Sequence, residues 1–278
     1  MESDRINRTK YALMVEFLNR NNLNTVCIEA NCPNRYYCFS QGNATFMILG
    51  RVCTRNCFYC NVSFGKPGKV DSKEPKRIAF AAKEMGLNYV VITSVTRDDL
   101  KDFGSMAFVN CIKEIKRISP KTKVEVLVPD FCGNIDAIKS VVNAKPFVFN
   151  HNIEVVKRLF PIMRRGGNYD VSLEVLRYAK SLDREMYVKS GLMVGLGETL
   201  LEIFDTIRDL KESGCDFLSV GQYLSPSEKH AKVIKYYNAK EFEGIKEFAL
   251  AKGFLHVESG KNVRSSYRAK QYSEELNM

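Results

Sequence analysis

Apolar residues recur along this chain in two alternating periods. Between residues 8 and 20, Tyr11, Met14, Phe17 and Leu18 fall at helical spacing and predict a helix with one buried face. A polar, cysteine-bearing stretch follows. Short apolar runs then punctuate the chain at residues 44–50, 89–93, 124–128, 146–149, 187–194 and 217–220, and each reads as a strand. Between them, Ile78, Ala81, Ala82 and Met85 mark one helical face, and Phe108, Cys111, Ile112 and Ile115 mark the next. A shorter helix is expected near residues 136–143, and a helical stretch breaks at Gly166-Gly167. Thr199-Leu-Leu-Glu202 forms a capping box that opens a helix with Leu200, Ile203, Phe204 and Ile207 turned inward. A last helix is expected over residues 240–252. Strands alternating with helices predict an α/β fold around a parallel sheet. Six units are two short of a closed eight-unit barrel.

Composition narrows the class. A chain of 278 residues with 45% hydrophobic content suits one sizeable domain with an extension. No apolar run approaches the roughly 20 residues of a membrane span. The opening Met1-Glu-Ser-Asp-Arg-Ile lacks a signal-peptide core, so the expectation is a soluble, cytoplasmic protein. The formal charge of +10 is spread over positions such as Lys10, Arg51, Lys76, Arg97, Arg164 and Arg165. That spread serves solubility or the steering of an acidic partner, and it lacks the basic block of a nucleic-acid binder.

The cysteines change the picture most. Six of the nine fall into two triplets. Cys53-Thr-Arg-Asn-Cys57-Phe-Tyr-Cys60 has C-x3-C-x2-C spacing and directly follows the first apolar run. Three thiolates this close suit a four-iron, four-sulfur cubane with one iron left open to a small molecule. Zinc sites usually pair C-x2-C units or mix Cys with His, and ferredoxins supply four cysteines per cluster. Upstream, Cys27-Ile-Glu-Ala-Asn-Cys32-Pro-Asn-Arg-Tyr-Tyr-Cys38 gives another triplet at C-x4-C-x5-C, the first in chain order, with the Cys53 set the second. Cys111 lies on an apolar helical face and reads as core. Cys215 reads as packing before the sixth strand, and Cys132 as a loop bystander. His151 at a strand end reads as a hydrogen-bonding histidine, and neither His230 nor His256 has a ligand-spaced partner. Gly191-Leu-Met-Val-Gly195-Leu-Gly197-Glu198 allows close backbone approach but lacks dinucleotide-binding spacing.

The C-x3-C-x2-C spacing resembles that of the radical S-adenosylmethionine (SAM) superfamily. The first triplet and the late Arg264-Ser265-Ser266-Tyr267-Arg268-Ala269 narrow the resemblance to the lipoyl synthase family, over nearly the whole chain. The resemblance implies a partial (βα)6 TIM-type barrel over residues 44–258, with working residues at the C-terminal strand ends. An N-terminal extension over residues 1–43 would carry the auxiliary-cluster cysteines, and a tail over residues 259–278 would close the barrel mouth. Two 4Fe-4S clusters and SAM are the implied cofactors. Cys53, Cys57 and Cys60 would hold the SAM-binding cluster, whose electron releases a 5′-deoxyadenosyl radical. Cys27, Cys32, Cys38 and Ser266 would hold the auxiliary cluster, the source of sulfur for C6 and C8 of an octanoyl chain on a carrier lysine. An oxygen ligand is more easily displaced from iron than a thiolate, which suits a cluster that gives up sulfide.

Superfamily positions sketch the SAM pocket. Thr93, Ser94, Asp98 and Asp99 would take the amino group, Asn152 or Glu154 the ribose and Lys189 the carboxylate, with Gly195 giving backbone approach. The implied partners are an octanoylated lipoyl-carrier domain, of 2-oxoacid dehydrogenase E2 or glycine cleavage H protein type, and a flavodoxin or ferredoxin-type reductant. No nucleic acid or membrane partner is implied. A biotin-synthase-like sulfur inserter is the rival enzyme, and the first triplet with Arg-Ser-Ser-Tyr counts against it. An iron–sulfur electron carrier is the non-enzymatic rival, and it has no need of an open iron.

Overall fold

In the computed structural model, which describes residues 7–269 and 271, the expected alternation builds one parallel sheet. Its strands are β1 (Thr45–Ile48), β4 (Tyr89–Ser94), β5 (Lys123–Leu127), β6 (Val148–Asn150), β7 (Tyr187–Val194), β8 (Phe217–Gln222) and β9 (His256–Gly260), in that spatial order. The helices between them are α4 (Glu74–Glu84), α5 (Ser105–Ile118), α6 (Ile135–Asn143), α7 (Phe160–Met163) with α8 (Tyr169–Leu182), α9 (Leu200–Glu212) and α10 (Ala239–Ala251). One register row runs Met47, Thr93, Leu127, Asn150, Lys189, Phe217, His256. It starts near the end of β1 and finishes at the first residue of β9. That stagger is the strand tilt of a barrel. Among the described residues β1 and β9 do not pair, so the barrel is partial and open.

The sheet has two different faces. Outward residues such as Val90, Ile92, Val124, Val126, Phe149, Val188, Leu218 and Val220 join Ile112, Val141, Leu176, Ile207 and Ile245 of the helices in one core. Burial on both faces explains why the strands read as near-continuous apolar runs. The concave face begins with a floor of Tyr89, Val91, Val148 and Phe217, packed with Phe147, Tyr187 and Ala269. Above it the same face carries buried polar groups, among them Thr93, Glu125, Asn150, Lys189 and Ser219.

Three features differ from the sequence expectation. A seventh strand, β9, follows the six units. Its polar alternation, His-Val-Glu-Ser-Gly, leaves Val257 as its only buried residue, so it shows no apolar run. The capping box at Thr199 and Glu202 forms, and Ile203 and Ile207 are buried, but Leu200 at the start of α9 points to solvent. The first triplet lies on two short helices, α2 (Val26–Glu29) and α3 (Arg35–Ser40). The predicted N-terminal helix α1 (Arg8–Arg20) packs on α3, with Tyr11 stacked on Tyr36 at 4.8 Å. Asn24 and Thr25 then cover the free side of β1: Met47 N donates to Asn24 O at 2.8 Å, and Thr25 bridges Phe46. Among the described residues no helix is long and apolar enough to cross a membrane.

Candidate functional site

The second cysteine triplet sits at the C-terminal end of β1, where a parallel-barrel site is expected. A two-residue pair, β2 (Val52–Cys53) with β3 (Ser63–Phe64), brackets the loop. Contacts from three sides fix it. Thr96 N, just past β4, donates to Cys53 Sγ at 3.3 Å, Phe58 N donates to Met163 O at 2.8 Å, and Ala231 N donates to Phe58 O at 2.9 Å. His230 Nε2 also lies 3.1 Å from Cys60 O, so this histidine supports the loop backbone. Burial pushes the Cys60 thiol up to about 12, and the neighbouring Cys57 and Cys53 add to it. Burial likewise raises Cys57, against the pull of Arg164. Thiols that feel one another in a half-buried pocket stay protonated until a soft metal group displaces the protons.

Arg55, inside the triplet, ties this loop to two strand ends. Its Nε and Nη2 donate to Asp98 at 2.8 and 2.9 Å, and its Nη1 and Nη2 donate to Asp130 at 2.6 and 2.8 Å. Burial alone would raise the Asp130 carboxyl, but Arg55 overrides it and holds it at about 2. Asp98, expected at the SAM amino group, is thus committed to Arg55 and to the Thr54 hydroxyl at 3.1 Å. Asp99 pairs with Arg97. Exposed Cys132 is no idle bystander, since its Sγ lies 3.2 Å from both Asp98 and Arg55. Cys111 and Cys215 are core, as expected.

The far wall is polar and buried. Asn152 Nδ2 donates to Glu154 Oε1 at 3.1 Å, and Arg164 Nη1 donates to Asn152 O at 2.5 Å. Burial raises the Glu154 carboxyl, while Arg164 opposes it. Glu154 takes a left-handed φ of 69° and bridges Leu192 on β7. Thr93 Oγ1 donates to Leu127 O at 3.1 Å. The buried Ser94 Oγ, Asn150 Oδ1, His151 Nε2, Asn152 Oδ1 and Ser219 Oγ have no partner among the described residues. Buried polar atoms rarely stay unpaired, so a group of them at and below the strand ends fits a polar ligand such as SAM. Gly195, at φ 110°, has no room for a side chain: a Cβ there would meet Gln222 Nε2 and, at 2.6 Å, Lys235 O.

The first triplet gathers beside the start of β1. Cys27 is on α2, Cys32 closes the turn with its N–H on Cys27 O at 3.1 Å, and Cys38 is on α3. Burial pushes Cys27 up to about 11 and Cys38 to about 12; Thr45 pulls Cys27 down, and neighbouring thiols push both further. Ser266 arrives at this spot from the other end of the chain. The Thr45 hydroxyl donates to Ser266 Oγ at 2.8 Å and also faces Cys27. Asn34 Nδ2, between Cys32 and Cys38, donates to Asn262 O at 2.6 Å. One buried and two half-buried thiols with one hydroxyl make a donor set that would suit an iron–sulfur cluster. Among the described residues no three His, Cys, Asp or Glu side chains gather as a site for a single metal ion.

The tail between the two triplets lies along the concave face, lower than a lid across the mouth. Val263 O rests against Gly221, and Ser265 Oγ lies 2.9 Å from where a Cβ of Gly191 would stand. The adjacent serines face opposite ways. Ser265 Oγ accepts from Asn152 Nδ2 at 2.5 Å, towards the second triplet, and Ser266 turns to the first. Lys189, expected at a SAM carboxylate, instead donates to Glu125 Oε1 at 3.0 Å and to Ser265 O at 2.5 Å. The sequence reading missed Arg55, Arg164, Thr45 and Glu125 as site residues. Only Glu125 carried a signal, as a lone acid inside the apolar run Val124-Glu-Val-Leu-Val128.

Comparison with known proteins agrees with this geometry. The radical SAM superfamily pattern matches residues 47–210. The chain is 53% identical over 258 residues to a lipoyl synthase from Caldicellulosiruptor saccharolyticus, covering 93% of this chain and 90% of that one. It is 53% identical over 253 residues to a lipoyl synthase from Rubrobacter xylanophilus, covering 91% and 79%. In fold it resembles the crystal structure of methylornithine synthase (PylB), with a TM-score of 0.58 at 14% identity over 83% of this chain and 80% of that one. The chain belongs to the radical SAM superfamily and, within it, to the lipoyl synthase family.

Proposed function

We propose that this radical SAM sulfurtransferase inserts sulfur at C6 and C8 of an octanoyl-lysine by working between two clusters held on opposite sides of one tail. Cys53, Cys57 and Cys60 hold the cluster that binds SAM, and Cys27, Cys32, Cys38 and Ser266 hold the auxiliary one. The observation that carries the reading is Ser266 Oγ against Thr45, beside Cys27, while Ser265 turns towards Asn152 and Glu154. When bound, the clusters and SAM supply the alkyl hydrogen abstraction and the sulfur that side-chain acids and bases do not.

The chain's own groups orient and shield that chemistry. Arg55 fixes the cluster loop to the ends of β4 and β5. Ser94, Asn152, Glu154 and the backbone at Gly195 line the SAM pocket. The polar concave face admits the octanoyl end between the triplets. The protein substrate is an octanoylated lipoyl-carrier domain of E2 or H-protein type, and the electron donor is a flavodoxin or ferredoxin. A reducing cytoplasm suits six ligand thiols.

Anaerobic incubation with SAM, reductant and an octanoyl-lysyl peptide, read by mass spectrometry, should give lipoyl-lysine. The reconstituted chain should hold about eight irons, and the Cys53→Ala/Cys57→Ala/Cys60→Ala variant about four. Iron near zero in that variant, or an unmodified peptide from the fully loaded enzyme, would sink the reading.

A further inference from the structure

Lys189 and Glu125 form a fully buried ion pair on the concave face. Glu125 Oε2 accepts from Tyr89 OH at 2.7 Å, and Oε1 accepts from Asn150 Nδ2 and Lys189 Nζ, each at 3.0 Å. Four adjacent strands, β4 to β7, thus converge on one carboxylate. Such a pair recovers little of its own desolvation cost, so its value lies in the geometry it imposes. Lys189 Nζ also donates outside the sheet, to Ser265 O at 2.5 Å. That carbonyl belongs to the peptide unit whose nitrogen is that of Ser266. Fixing the carbonyl fixes the plane from which Ser266 projects.

We propose that the Lys189–Glu125 pair is a positioning device for the auxiliary site: it grips the Ser265 carbonyl and so sets where Ser266 presents its hydroxyl to Cys27, Cys32 and Cys38. This rests on the reading of Ser266 as a ligand, and it moves Lys189 from the SAM pocket to the tail. On this reading Lys189 and Glu125 act through the tail, as positioning residues. Gly191 and Gly221 complete the device, because their missing side chains let the tail lie against the strands.

The test uses the loaded, full-length enzyme. Lys189→Met alone strands a buried carboxylate and risks misfolding, so the working variant is Lys189→Met/Glu125→Gln, which removes both charges and keeps an acceptor for Tyr89 and Asn150. Hydrogen–deuterium exchange over residues 261–269 should rise by about tenfold, as expected when a charge-assisted bond is lost. Lipoyl product should fall by about tenfold or more, while the KM for SAM in 5′-deoxyadenosine formation stays within about twofold. Glu125→Gln alone should fall between the two. Unchanged tail exchange would overturn the proposal, and so would a loosened tail with wild-type lipoyl yield. A raised KM for SAM with a protected tail would return Lys189 to the SAM pocket. Wild-type product from Ser266→Ala would instead overturn the ligand reading, and the exchange measurement would still report whether the grip exists.

Discussion

Ser266 and His151 show how much hangs on single side chains. Ser266→Ala should still cleave SAM, because Cys53, Cys57 and Cys60 are untouched, yet should lose lipoyl product by about tenfold or more; wild-type yield would rule the ligand role out. Ser266→Cys should bind iron firmly and release sulfide poorly, since thiolate is the softer ligand. Ser265→Ala should be milder, costing about 1 kcal/mol for the Asn152 bond, because the two serines face opposite ways. His151 is the hydrogen-bonding histidine that its strand-end position suggested, with Nδ1 2.8 Å from Val128 O. Burial first, then Arg164, lowers it from near 6.5 to about 3. A depressed folded pKa contributes stability that is full above about 6.5 and lost as pH falls towards 3. Denaturant melts of cluster-free protein should therefore show wild type losing about 2 kcal/mol more than His151→Gln between about pH 7 and 5. Equal losses would contradict a neutral buried imidazole.

At the level of elements, what local pattern encodes was legible and what distant contact decides was not. The sheet strands β1 and β4 to β8 are buried on both faces and mostly apolar, so their runs stand out; β9 buries only Val257 and does not. The cysteine triplets were legible because ligand spacing is local. The route of the tail was not, since its partners Asn34, Thr45, Asn152 and Lys189 lie far back in the chain and mark themselves by no periodicity. The Arg55–Asp98 pair was hidden for the same reason: nothing local shows that the two meet. The glycines facing the tail give a direct check. Gly221→Ala drives a Cβ into Val263 O, and should cost about 1–3 kcal/mol and speed tryptic cleavage after Lys261 and Arg264. Gly244→Ala, in α10 with open space around it, should instead stabilise by about 0.5–1 kcal/mol. Melting temperatures that move the same way in both variants would contradict the tail's packing.

Across the whole molecule, the charge of +10 and the use of both ends of the chain matter most. If the positive field steers an acidic carrier domain, turnover of the whole domain should fall severalfold between about 50 and 300 mM salt, while an octanoyl-lysyl peptide loses far less. Equal sensitivity would leave the charge as a solubility feature. The meeting of Cys27 with Ser266 at β1 also bears on how the protein is made. A ribosome adds about 5–20 residues per second, so if Ser266 is the fourth ligand, the first triplet exists on the order of tens of seconds before its site can be complete. Through that interval three thiols stand exposed on an unfinished chain, open to zinc, to copper and to oxidation. The SAM-side triplet also waits, because its clamps at Met163 and Ala231 are made late. On the proposed ligand sets, both sites are complete only once the end of the barrel and the tail have been made, so cluster insertion follows synthesis of the chain.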